Sequence, residues 1–87
     1  MLSASASHPL VTALQLSQLL KSARKQRQLT QAELAARLGL SQNRVSYLES
    51  HPQDLSVKQL LGWCAALGLE LTLGQRPTAT PDSDAGW

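Results

Sequence analysis

Apolar and polar positions alternate along this chain at two different periods. Leu16, Leu19, Leu20 and Ala23 follow the i, i+3, i+4, i+7 spacing of one helix face. Thr12 stands where a cap is needed and Gln15 lies three residues on, so a helix is predicted from Ala13, fading near Arg27 or Gln28. The same start signal recurs at Thr30 with Glu33, ahead of the apolar positions Leu34, Ala35 and Leu38, and Gly39 is placed to close that second helix in a left-handed turn. Ser41 caps a third helix with Val45 and Leu48 inward. "SHPQD" (Ser50 to Asp54) reads as a loop, because a proline disfavours helix at the residue before it. Ser56 with Gln59 opens a fourth helix with the stripe Val57, Leu60, Cys64 and Leu67, flanked by Leu61 and Trp63, and Gly68 ends it.

After Gly68 the period changes. "LELTL" (Leu69 to Leu73) alternates as a half-buried strand does. A lone strand has unpaired edges, and the chain offers it no second strand. Pairing with the same segment of a second copy would satisfy it; a frayed extended segment is the other reading. Residues 1–11 are small and polar, and "QRPTATPDSDAGW" from Gln75 is rich in Pro, Thr and Asp, so both ends are expected to be disordered. The domain is therefore bounded at residues 12–74, with the tail at 75–87 ending on Trp87.

With 87 residues the chain builds one small domain, and with 43% hydrophobic residues but no Phe its core must be aliphatic. Trp63 could complete that core or lie partly exposed at an interface. Cys64 is the only cysteine, which excludes an intramolecular disulfide and a cysteine metal cluster and suits a reducing compartment. No apolar run approaches the roughly 20 residues of a membrane span, and the start lacks the basic and apolar regions of a secretion signal; a cytoplasmic, nucleoid-associated protein is expected. His8 and His51 have no neighbouring ligand at metal spacing, and neither Ser46 nor Cys64 has the setting of a nucleophile. No catalytic role, cofactor, metal or small-molecule substrate is expected.

The net charge of +2 is small, but its distribution is not even. Seven of the eight basic residues lie between Lys21 and Lys58, opposed there only by Glu33, Glu49 and Asp54, which leaves that segment at +4. A basic body with an acidic tail suggests a polyanion as partner, and a solvated helix face accounts for the same charges.

Two helices too short to stand alone, joined through Gly39, form a helix-turn-helix supported from behind by the first and fourth helices. At 100° per residue, Asn43, Ser46, Tyr47 and Ser50 point away from the core side of the third helix, Gln42 flanks them, and Glu49 falls toward the inner flank. An ordinary solvated face would carry Glu, Lys and Arg. Here the groups are those that read base edges in a major groove: Gln and Asn can pair with adenine, Ser can donate or accept, and a Tyr ring can pack on a thymine methyl. A carboxylate would be repelled by phosphate, and this face has none.

"LTQAELAARLGLSQNRVSYLE" closely resembles the helix-turn-helix of the phage-repressor, or Cro/C1-type, family. The likeness runs from about Leu16 to Leu67 through Leu20, Arg24, Leu29-Thr30-Gln31, Leu34-Ala35, Leu38-Gly39, Val45-Ser46, Leu48-Glu49 and "SVKQLLGWCAAL". It implies a mainly α, lambda-repressor-like bundle of four helices. It also implies base reading by Gln42, Asn43, Ser46 and Tyr47. Gln31 would bind a phosphate and brace Gln42, Arg44 and Lys58 would add phosphate contacts, and Arg24 with Glu49 would form a structural ion pair. Lys21, Lys25, Arg27 and Arg37 are left as solvated charges.

Repressor-type domains usually have a fifth helix, and here "LGLELTLGQ" follows the fourth helix directly. That build is most similar to the HipB family of antitoxins. The resemblance implies a homodimer paired through Leu69, Leu71 and Leu73, a pseudo-palindromic operator, repression of its own operon, and a HipA-type Ser/Thr kinase toxin as partner. Trp87 would then be either an anchor for the toxin or inert. Two other readings stay open: a stand-alone Cro/C1-type repressor with no toxin, and an interaction adaptor that has lost DNA binding.

Overall fold

A computed structural model describes residues 7–76. It contains α1 (Ala13–Gln26), α2 (Gln31–Leu38), α3 (Gln42–Ser50) and α4 (Val57–Leu67), with a single 3-10 turn, Pro52–Asp54, between α3 and α4. Trp87 and most of the acidic tail lie outside the described residues.

Each helix starts where its cap residue stands. The hydroxyls of Thr12, Thr30 and Ser56 accept the N–H three residues on, and the side chains of Gln15, Glu33 and Gln59 accept the cap's own N–H. All three boxes are thus reciprocal, satisfying donors that a helix start leaves open. Ser41 caps α3 from one side only, accepting from the Arg44 N–H at 3.1 Å.

Three of the four helices also end alike. Among the described residues, Gln28, Gly39 and Gly68 have positive φ, at 58°, 71° and 72°. After each comes a leucine whose N–H reaches back five residues: Leu29 to Arg24, Leu40 to Ala35 and Leu69 to Cys64. This six-to-one bond closes the helix and turns the following leucine back toward the bundle; Leu29 and Leu40 pack on the core.

The core is the meeting point of the four helices. Leu20, Leu34, Val45, Leu48, Trp63 and Leu67 are almost wholly buried. Each of these large apolar side chains contributes about 1.5–3 kcal/mol by its burial, and Leu16, Leu29, Leu38, Leu40, Leu55 and Ala66 pack around them. The predicted inward face of α4 needs correction: Trp63 fills the core at 1% exposure, whereas Val57 is 70% exposed. α4 is apolar on nearly every side, so its pattern could not choose between them. Cys64 is buried on the same helix, and burial pushes its thiol pKa up, keeping it protonated.

Two further departures are local. "SHPQD" is not plain loop, because Pro52 sits at the start of a 3-10 turn, where a missing N–H costs nothing, and is itself buried. Arg27 is not simply solvated: its guanidinium lies across the C-terminal end of α4, where a side chain at Gly68 would come within 1.8 Å of Nη2. A cation there complements the open carbonyls of a helix end. Residues 69–76 continue as irregular chain, with no strand among the described residues. Leu69, Leu71 and Leu73 are all exposed, Leu73 almost fully.

Candidate nucleic-acid interface

α3 presents two opposite faces. Val45, Leu48 and Glu49 are buried, while Gln42, Asn43, Arg44, Ser46, Tyr47 and Ser50 are exposed. The side chains predicted to read bases therefore share the solvent face of one nine-residue helix. Its start is fixed by the Ser41 cap and its back by two core residues, so Gln42 and Asn43 leave the first turn from a rigid base.

The inner flank carries the one buried ion pair among the described residues. Glu49 is fully buried, and its carboxylate accepts from Arg24 Nε at 2.5 Å, Arg24 Nη2 at 3.3 Å and Gln31 Nε2 at 3.1 Å. Arg24 Nη1 also donates to the carbonyl of Leu29 at 2.9 Å. On the main chain, the Ser17 hydroxyl donates to the carbonyl of Glu49 at 2.6 Å and is buried in doing so. This network joins α1, the start of α2 and the last turn of α3. It fixes the angle at which α3 leaves the bundle.

Gln31 also joins this network from the start of α2. One amide N–H donates to Glu49 at 3.1 Å. As the first residue of α2, its backbone N–H remains among the open donors of a helix start, a suitable site for a phosphate oxygen. Arg44 and Lys58 are exposed, on α3 and at the second position of α4. Lys58 also edges a groove of about 520 Å³ between the end of α2 and α4, floored by Leu38, Leu40, Gly62 and Trp63. The indole N–H of Trp63 is buried without an acceptor.

Tyr47 is more constrained than a free reading side chain. Its hydroxyl donates to Asp54 Oδ2, its ring stacks on His51 with centroids 4.3 Å apart, and the Arg44 guanidinium lies 5.8 Å from the ring centre. The bond to Asp54 raises the phenol pKa, helped by partial desolvation and by the Asp54 charge, so the hydroxyl stays protonated. The carboxylate-free face inferred from α3 alone is therefore bordered by a carboxylate from outside the helix. Asp54 escaped the helical wheel because the 3-10 turn at Pro52 folds it back beside Tyr47. Pro52 was the only local sign of that turn.

Among the described residues no cluster of three or more potential metal ligands occurs, and no helix is long and apolar enough to cross a membrane.

Comparison with known proteins agrees with this geometry. The helix-turn-helix family pattern matches residues 20–73. The chain is also similar to the antitoxin HipB of Escherichia coli strain K12, 32% identical over 69 residues that cover 79% of this chain and 78% of the relative. The antitoxin HipB of Escherichia coli O6:H1 strain CFT073 is 32% identical over 69 residues, covering 79% and 73%.

Proposed function

The chain belongs to the Cro/C1-type helix-turn-helix family, and from that premise we propose that it is a DNA-binding antitoxin that represses its own operon and neutralises a HipA-type Ser/Thr kinase toxin. The observation that carries the DNA half is the outer face of α3: six exposed polar side chains without a carboxylate of their own, on a helix whose back is locked by Glu49. Gln42, Asn43, Ser46 and Tyr47 read base edges in the major groove. Gln31, Arg44 and Lys58 contact phosphates and set register rather than sequence. Affinity then falls steeply with salt as counterions are released.

One such headpiece makes few contacts, and two in a two-fold dimer read half-sites about 34–36 Å apart. Leu69, Leu71 and Leu73, exposed in the single chain, support pairing of this segment with its copy across the dimer axis. Residues 12–74 are the DNA-binding and dimerising unit of a cytoplasmic, nucleoid-associated protein with no catalytic role. The toxin half rests on the similarity to HipB, and Trp87, beyond the described residues, is the proposed toxin anchor.

Co-expression with the product of the adjacent gene, followed by size exclusion with light scattering, tests the toxin half. A stable complex containing two copies of this chain supports it; a free dimer beside an unbound neighbour reduces the protein to a stand-alone repressor. Gln42→Ala is expected to weaken operator binding by about 1–3 kcal/mol per half-site and relax preference at one base pair. Unchanged preference in Gln42→Ala and Asn43→Ala would place the reading face elsewhere.

A further inference from the structure

The outer face of α3 ends on an arrangement that attraction to DNA does not require. Three neighbours hold Tyr47. Arg44 approaches its ring from the preceding turn, His51 stacks on it from the following one with planes only 12° apart, and Asp54 accepts its hydroxyl. The holders are themselves held. His51 Nδ1 lies 3.0 Å from the carbonyl of Tyr47, and the Asp54 N–H donates to the carbonyl of His51 at 3.0 Å within the turn that Pro52 starts. Tyr47 nevertheless remains 43% exposed. A carboxylate beside a surface that meets a polyanion costs affinity, so Asp54 needs a reason for being there.

We propose that Asp54 is a specificity-determining positioning residue. By engaging the Tyr47 hydroxyl proton it leaves that group without a donor for a base, and with the stacked imidazole it fixes the ring so that an edge faces the groove. Tyr47 then selects the 5-methyl group of a pyrimidine by apolar contact, the feature that marks thymine in the major groove. Asp54 acts through the tyrosine and touches no base. A side chain ordered in advance also loses less entropy on binding, which sharpens discrimination. The inference rests on the DNA-reading role proposed for α3.

The test starts from an operator selected by the unmodified protein from a random DNA pool. Each thymine of a half-site is then replaced in turn by deoxyuridine, which differs only by the methyl group. One position should show about fourfold weaker binding, the worth of a buried methyl-sized group. Asp54→Ala should bring that ratio toward one with the helical circular dichroism signal intact, whereas Asp54→Asn, whose amide oxygen can still accept, should retain it. Tyr47→Phe, which removes the hydroxyl that Asp54 holds, should also lose discrimination. The proposal is overturned if Asp54→Ala keeps the fourfold ratio, or if the unmodified protein is indifferent to every deoxyuridine. Either result leaves selection of an operator standing. Failure to select any operator overturns the DNA reading, and this inference with it.

Discussion

Replacing Arg24 with alanine is expected to destabilise the fold by about 3–5 kcal/mol, the cost of leaving one member of a buried ion pair unmatched. The size follows from the geometry. Glu49 is fully buried, and two of the three N–H donors to its carboxylate belong to Arg24, whose side chain is only 11% exposed. The alanine would leave Gln31 Nε2 as the remaining side-chain donor and would strip the Leu29 carbonyl of the Nη1 bond. A domain of this size has about 5–15 kcal/mol in total, so the change removes a large share of it. The thermal midpoint should fall by about 12 °C or more, at roughly 4–8 °C per kcal/mol for a small domain. Urea unfolding followed by circular dichroism reads the effect as a lower midpoint at constant slope. The double variant Arg24→Met/Glu49→Met should regain most of the loss, because an apolar pair leaves no buried charge behind. A cost below about 1 kcal/mol for Arg24→Ala would refute the reasoning, since that is the range of a solvated surface pair. A double variant no better than Arg24→Ala would refute it too.

Other outcomes can be measured on the same footing. Gly68→Ala should cost more than Gly39→Ala, about 2 kcal/mol against about 1: both need a positive φ, but only at Gly68 must the Arg27 guanidinium move as well. Glu33 has its pKa lowered, first by its bond to the Thr30 N–H, so its stabilising effect is present above the ordinary carboxylate pKa and is lost as pH falls through the lowered one. Glu33→Gln should therefore flatten the acid limb of a plot of thermal midpoint against pH; an unchanged limb would show that the bond contributes nothing. Leu71→Asp should convert the proposed dimer to monomer in light scattering and weaken operator binding while leaving the helical signal intact, whereas a persistent dimer would move the interface away from residues 69–73.

The starts and ends of the helices were legible in the sequence, because the interactions that set them are local. A hydroxyl and a carboxylate or amide three residues apart close a capping box wherever they occur, and Thr12, Thr30 and Ser56 did so at the expected positions. Gly39 and Gly68 marked their turns because few other residues accept a positive φ. Gln28 makes the same turn without glycine, and the end of α1 was correspondingly vague. The outer face of α3 was legible too, since a 100° step needs only the chain itself.

Tertiary structure alone decided the rest. α4 is apolar on almost every side, so only the position of its neighbours could put Trp63 inside and Val57 outside. Gln31 turned to Glu49, eighteen residues away, because a fully buried carboxylate draws every donor within reach. Ser17 went into the core for the main-chain carbonyl of the same residue. Asp54 met Tyr47 because a buried proline bent the chain back across the end of α3. Sequence determined which hydrogen bonds each helix makes with itself, since those partners travel together along the chain. Which polar groups meet between elements depended on burial, and burial exists only once the helices have packed.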